Sequence, residues 1–270
     1  MLELNKLYTG NSLDLLKSID NDSISLHITS PPYADMKKYK NSDGIHPDKY
    51  VEWFMPFIKE VERTMKVDGS FILNINDKVV DGFRHPYVFD LISEIHRSTK
   101  LKMFERLFLD KRKSLSHPSR FSDRVEYLFW FVKSDNFCFD IDSFRAPYSP
   151  VSIKRMTKPV KKRFNRTEKN QDEAIYKDTW KPNPKGALPT TLVSISSVSK
   201  RISKIHTAIF PEKLVEYFIK GATRENDIVC DIFSGSGSTC IVSKKLKRRF
   251  IGFDISDEYN DEAKLRLGLI

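Results

Sequence analysis

Asp227-Ile-Val-Cys-Asp-Ile-Phe-Ser-Gly-Ser-Gly-Ser-Thr239 is the stretch that decides how this chain reads. Asp227–Ile232 is a short apolar run of strand type, and Ser238–Lys247 has helical character, so the Gly-Ser segment connects a strand to a helix. Gly235 and Gly237 let the backbone turn tightly and approach a ligand, while the helix N-terminus offers free N–H groups to an anion. Two departures narrow that anion. The third glycine of a dinucleotide-binding pattern is Cys240 here, and no Lys follows Gly237 as a triphosphate loop requires. A smaller anion, such as a carboxylate, fits better. Asp231 ends the strand and can accept from an amino group. Asp254 ends the next strand, 17 residues after Gly237, where a carboxylate can take both hydroxyls of a ribose. A tight connection with two incidental acids is the plain alternative.

Outward from this loop, strands and helices alternate. Pro211 stands where a helix can begin, with Leu214, Val215, Phe218 and Ile219 on its buried face. Arg249–Asp254 is a strand, and a last helix starts near Asp257. Toward the N-terminus, Leu7-Tyr8 reads as a strand, Ser12–Ile19 as a helix, Ile24–Thr29 as a strand and Asp48–Lys66 as a helix capped by Asp48. Phe71–Ile75, Pro86–Arg97 and Glu126–Lys133 follow as strand, helix and strand. The pattern predicts an α/β fold, a mostly parallel sheet with helices on both faces. Residues 140–205, rich in proline and basic side chains, read as a loop-rich insert between two halves, residues 1–139 and 206–270.

The chain has 270 residues and a net charge of +10. Between Val151 and Lys204 there are 14 Lys/Arg and four Asp/Glu, so that segment carries the whole excess and the rest is neutral. A concentrated basic block beside a neutral core suits gripping phosphates, although a solvated loop has the same composition. The longest apolar run, Tyr127–Val132, is far short of the roughly 20 residues that span a bilayer. No signal-peptide pattern opens the chain, so a cytoplasmic protein without membrane contact is expected. Three scattered cysteines and six histidines without ligand spacing give no expectation of a metal site.

Ser30-Pro31-Pro32-Tyr33 follows the strand Ile24–Thr29 directly, and two prolines end it. A strand-ending turn accounts for the loop taken alone. Its chemistry also suits methylation of an exocyclic amine. The lone pair of such an amine is delocalised into the ring until rigid acceptors near its N–H groups pull it toward tetrahedral geometry. Pro31 supplies a carbonyl, Ser30 a second acceptor, Pro32 rigidity, and Tyr33 an aromatic face for a base outside the helix stack.

Together these segments resemble the beta group of DNA amino-methyltransferases. Ser30–Tyr33 looks like their catalytic motif, Asp231–Thr239 their cofactor loop, His206–Leu214 the segment before it, and Arg248–Asp254 the strand with the ribose-binding acid. The match covers roughly residues 5–133 and 186–265. It implies a Rossmann-like S-adenosylmethionine-dependent fold, circularly permuted so that the N-terminal Leu7–Asn11 supplies the next cofactor-binding strand. The implied cofactor contacts are Asn11 and Ser12, Phe210 and Pro211, then Asp231 and Phe233. In the loop they are Ser234, Gly235, Ser236, Gly237, Ser238 and Thr239, and at the following strand Asp254 and Ile255. Three positions depart from the family pattern: Ile232 and Thr207 stand where Pro is usual, and Asn11 where Asp is common.

The resemblance further implies double-stranded DNA as partner and a restriction-modification setting. It is compatible with a separately acting cognate endonuclease and with a homodimer. Family members with Ser at the first loop position are usually cytosine-N4 enzymes, so Ser30 favours N4-methylcytosine, with adenine-N6 the alternative. Methylation of RNA or protein and a non-catalytic DNA-binding role also stay open. Cytosine-C5 methylation needs a cysteine nucleophile after proline, and the residues before Cys138, Cys230 and Cys240 are Phe, Val and Thr. Lys161, Lys162, Arg163 and Arg166 in the insert, with Lys113 and Arg120 in a second basic stretch, are the candidate DNA contacts.

Overall fold

Strands buried on both faces set the architecture. β2 (Ile24–Thr29) and β9 (Ile228–Asp231) are buried at every position, as central strands of a helix-covered parallel sheet are. They lie side by side, with Leu26 opposite Val229 and His27 opposite Cys230. The computed structural model describes residues 2–34, 44–111, 119–156, 182–195 and 210–269. It divides into two compact units, one of Met1–Asp140 with Thr191–Ile270 and one of Ile141–Thr190.

The larger unit holds an eight-stranded sheet. On one side of β2 come β9, β10 (Arg249–Asp254) and β1 (Lys6–Thr9); on the other come β3 (Met65–Ile75), β7 (Val125–Val132), β6 (Lys102–Asp110) and β8 (Leu192–Ser194). Neighbours pair in parallel except where β7 runs antiparallel to β3 and β6. The N-terminal β1 lies beside β10, Thr9 opposite Asp254, as the permuted order implies. The chain leaves β2 toward β3 and leaves β9 toward β10, so the direction of winding reverses between β2 and β9. Ligands of open α/β sheets bind beyond the carboxyl ends of the strands at such a point.

Side-chain alternation divides the helices between the two faces. Ile251 and Phe253 of β10 join one core cluster with Leu16 of α1 (Ser12–Leu16), Phe54 and Ile58 of α2 (Pro47–Thr64), and Leu91 of α3 (Tyr87–Ser98). Phe250 joins a second cluster with Ile241 of α6 (Ser238–Lys245) and Leu267 of α7 (Asp257–Leu267). On β7, Phe131 stacks on Phe71 while its neighbour Trp130 meets Phe218 of α5 (Glu212–Ala222). His27, buried within β2, bonds through Nε2 to Thr64 Oγ1 at 2.9 Å, and burial lowers its pKa to about 3, leaving the ring neutral.

Several boundaries differ from the sequence reading. α2 starts one residue before Asp48: Pro47 occupies the first turn, where its missing N–H costs nothing, and His46 caps it by accepting from the Asp48 N–H. Pro211 is the extended N-cap of α5 rather than its first residue. β6 has four charged residues in nine and few buried positions, so no apolar pattern marks it; pairing with β7 makes it a strand. β8 lies in the stretch read as a loop-rich insert and adds to β6, Phe108 opposite Leu192. A two-stranded hairpin, β4 (Lys78–Val80) with β5 (Phe83–His85), follows β3.

The smaller unit contains a 3-10 turn at Ile141–Phe144, α4 (Pro150–Met156) and a bridge between Ala146 and Ala187. Asp142 pairs there with Arg145 at 2.6 Å and Lys185 at 2.7 Å. No helix among the described residues is long and apolar enough to cross a membrane.

Phe54 is fully buried among Tyr50, Trp53, Phe57 and Phe233. Phe54→Ala should cost about 3–5 kcal/mol, read as a lower urea midpoint at unchanged slope. A loss under about 1 kcal/mol would mean this cluster is not the core.

Candidate active site

Five strand ends meet at one edge of the sheet. Thr29 closes β2 and is followed by the loop Ser30–Tyr33; Ile75 closes β3, Asp231 closes β9, Asp254 closes β10 and Thr9 closes β1. β7 runs the other way, so its first residues, Val125 and Glu126, come to the same edge.

Asp231 joins the loops. Its Oδ1 accepts from Thr29 Oγ1 at 2.7 Å and from the Phe233 N–H at 3.1 Å, and its Oδ2 accepts from Thr239 Oγ1 at 2.6 Å. The residue before the Ser30 loop and the residue after the glycine loop thus share one carboxylate. That carboxylate is buried, and burial pushes it up to about 6 against the pull of its hydroxyl partners. Asp254 does the same work one strand away: Oδ2 accepts from the Gly235 N–H at 2.9 Å and Oδ1 from the Ser256 N–H at 2.8 Å. Burial raises its pKa as well.

The glycine loop follows from these anchors. Gly235 and Gly237 have φ of 50° and 77°, a left-handed backbone that glycine adopts without strain. At Gly237 a Cβ would also stand 2.7 Å from Ala263 Cβ. The Gly237 N–H bonds to Ser234 O, and Ser234 N to Phe253 O, both at 2.8 Å. Ser236 is held from outside by Arg266, which donates to its carbonyl and its hydroxyl. Ser234 Oγ and Ser238 Oγ are buried with no hydrogen-bond partner among the described residues. Leaving buried hydroxyls unmade is costly, so both suit an oxygen-rich ligand lying over the loop.

Other expected residues have structural engagements. Asn11 caps α1, Oδ1 accepting from the Leu13 N–H at 2.9 Å. Ser12 is buried and donates to the Ile232 carbonyl at 2.6 Å, tying α1 to the end of β9. The Phe233 ring packs against Trp53, Phe54 and Phe57 of α2, leaving its backbone for the loop. Phe210 and Pro211 are half-buried at the start of α5, and Ile255 is exposed after β10.

Pro31 is buried, and the Pro32 carbonyl accepts from Tyr50 Oη at 2.9 Å. Ser30 Oγ donates to Tyr33 Oη at 3.3 Å, and Tyr33 Oη lies 3.2 Å from Glu126 Oε2 and 3.4 Å from Asn74 Oδ1. Sequence reasoning missed Asn74 and Glu126. Neither belongs to a motif, and only the strand reversal of β7 brings Glu126 here. Beyond them Asp77 is buried beside Arg84, which also approaches Asp123 at 3.6 Å.

Arg120 is exposed at the hairpin and donates to the Gly82 carbonyl. The other expected DNA contacts, Lys113, Lys161, Lys162, Arg163 and Arg166, lie outside the described residues. No group of three or more His, Cys, Asp or Glu among the described residues is placed to hold a metal ion.

A family model described as DNA methylase, covering N6 and N4 methyltransferases, matches residues 24–265. Type II methyltransferase M.PvuII of Proteus hauseri is 31% identical over 273 residues, spanning 94% of this chain and 80% of that protein. Type II methyltransferase M1.MboII of Moraxella bovis is 31% identical over 281 residues, spanning 99% and 98%. Among solved structures, a PvuII DNA methyltransferase described as cytosine-N4-specific superposes with a TM-score of 0.72 at 27% identity, covering 96% of this chain and 85% of that one. A complex of M1.HpyAVI with SAM shares the fold, with a TM-score of 0.60 at 20% identity, covering 97% and 98%.

The raised pKa of Asp231 has a measurable consequence. The folded state holds this proton more tightly than the unfolded state, whose value is 3.8. The stability this brings is complete below about pH 4 and is lost as pH rises through 6. Asp231→Asn lacks that loss. Its Tm relative to the parent should therefore climb between pH 4 and 6 and level off above 7. A difference flat across this range would show that Asp231 ionises as freely folded as unfolded.

Proposed function

The chain belongs to the N6/N4 DNA methylase family, and on that premise we propose that it methylates the exocyclic N4 of cytosine in double-stranded DNA. One observation carries the site: the Thr29–Asp231–Thr239 bonds place the Ser30 loop and the glycine loop against each other at the switch point of the sheet. S-adenosylmethionine supplies the electrophile, a methyl group on a sulfonium sulfur. The unpartnered hydroxyls of Ser234 and Ser238 and the turn at Gly235 and Gly237 suit its carboxylate. A carboxylate has about four acceptor sites. Asp231 has three occupied, leaving one for an ammonium group, and Asp254, at the end of the next strand, is the acid that accepts from the ribose hydroxyls.

On the other side, Ser30 Oγ and the Pro31 carbonyl accept from the two N–H bonds of the amine, localising its lone pair for in-line attack. The bond from Tyr50 to Pro32 fixes the loop that carries them. Reaching this pocket requires the base to leave the duplex. Arg120 and the basic residues of 151–204 bind the phosphates of the strand it leaves. Ser30 and the cytosine-N4-specific PvuII enzyme both favour cytosine. The type II relatives favour the modification half of a restriction system.

Incubation with labelled S-adenosylmethionine and unmethylated duplex DNA, then digestion to nucleosides, should place the label in N4-methylcytosine. Label in N6-methyladenine would overturn the base assignment, and unlabelled DNA the reading itself. Ser30→Ala should slow single-turnover transfer about 10²-fold and leave cofactor affinity unchanged by calorimetry. Asp254→Ala should weaken cofactor affinity about 10- to 100-fold. Full activity in both variants would show that the site lies elsewhere.

A further inference from the structure

Ser30 is neutral, whereas localising an amine lone pair calls for strong acceptors near its hydrogens. Where the Ser30 hydroxyl sends its own proton decides how good an acceptor it is. It donates to Tyr33 Oη at 3.3 Å, and Tyr33 Oη in turn lies 3.2 Å from Glu126 Oε2, nearer than the neutral Asn74 Oδ1 at 3.4 Å. Two hydroxyls therefore run head to tail toward one carboxylate. Hydrogen bonds in such a row polarise one another, more so at low local dielectric.

The carboxylate is itself held. Asn74 Nδ2 donates to Glu126 Oε2 at 3.2 Å and to the Tyr127 carbonyl at 3.1 Å, and Lys111 Nζ pairs with Glu126 Oε1 at 3.1 Å. Asn74 is buried, Glu126 is 17% exposed and Lys111 is 32% exposed, so the row starts inside the site and ends at water. Burial first, and the Glu126 charge second, raise the Tyr33 pKa well above its ordinary value; the phenol stays protonated and keeps its donor.

We propose that Glu126 is a positioning residue for methyl transfer, acting through Tyr33 to commit the Ser30 proton away from the substrate and to receive the proton the amine sheds. This rests on the reading of Ser30 as an acceptor for the target amine. As the nitrogen–carbon bond forms and the sulfur–carbon bond breaks, the sulfur keeps the bonding pair and becomes a neutral thioether, and the nitrogen becomes cationic. One N–H proton then passes to Ser30 Oγ as the Ser30 proton passes to Tyr33 Oη and the Tyr33 proton to Glu126. The methylated amine ends neutral, both hydroxyls are restored, and Glu126 carries the proton until it is lost to water at the Lys111 edge. A carboxylate on β7 thus does at a distance what an acidic residue in the loop would do directly.

The test compares Glu126→Gln, Tyr33→Phe and the double variant with the parent in single-turnover transfer, alongside cofactor and duplex affinities. Gln keeps an acceptor for Tyr33 and Asn74 while removing the charge and with it the ion pair to Lys111, so a role confined to holding Tyr33 in place would leave the rate at the parental value. The expected result is a loss of about 10²-fold for each single variant. Affinities should stay within about twofold and the double variant should be no slower than the slower single one, because the members act as a unit. Parental rate in Glu126→Gln, or losses that multiply in the double variant, would overturn the relay. The comparison holds whichever amine of DNA the parent labels; a parent that labels no DNA overturns the proposed function and the relay with it.

Discussion

A carboxylate with a hydroxyl on each oxygen sits where the sheet changes its direction of winding. Through Thr29, Asp231 reaches the strand that ends in the Ser30 loop; through Thr239, it reaches the helix that starts from the glycine loop. A buried carboxylate is costly unless its lone pairs are met, and the bonds that meet them are the ones that fix the two loops. The same economy recurs at Asp254, which holds the glycine loop and the start of α7 by backbone N–H groups. The two loops are therefore preorganised by acids that hold them through hydrogen bonds. Positive φ at Gly235 and Gly237 and the close approach of Ala263 to Gly237 are the steric counterpart of that arrangement.

Local signals carried much of this into the sequence. The strand–glycine–helix order around Asp231, the proline stop after Thr29 and the acid at the end of β10 each depend on a few adjacent residues, so they could be read without coordinates. The placement of β1 beside β10 came from resemblance rather than from any local pattern, and the parallel register of Thr9 with Asp254 agrees with it. What escaped was non-local. β6 has too many charges to read as a strand until β7 is set beside it. Asn74 and Glu126 belong to no motif, and they meet Tyr33 only because β7 is antiparallel. The Asn11 side chain caps a helix and the Phe233 ring joins an aromatic cluster, engagements that no motif announces. A residue's neighbourhood in a motif does not say which way its side chain turns.

Charge and chemistry are segregated along the chain. The edge where the strand ends meet is assembled from the neutral portion, whereas residues 151–204 contain the entire net excess. On the proposed reading, long-range attraction to a polyanion and short-range control of one amine fall to different stretches.

The pairing of β1 with β10 also constrains the order of assembly. Asn5 accepts from the Phe250 N–H across 245 residues of sequence, and Asn260 donates to Thr9 across 251. Closing so wide a loop is entropically slow, and contacts of this kind form after local ones. During synthesis β1 is made long before β10 and has no strand to lie against until β10 has followed. Until β1 docks, the outer edge of β10 is a row of open N–H and C=O groups on the side of the sheet that ends in Asp254. The edge of the sheet that carries Asp254 is consequently among the last parts of the molecule to be completed, after the local contacts around Ser30.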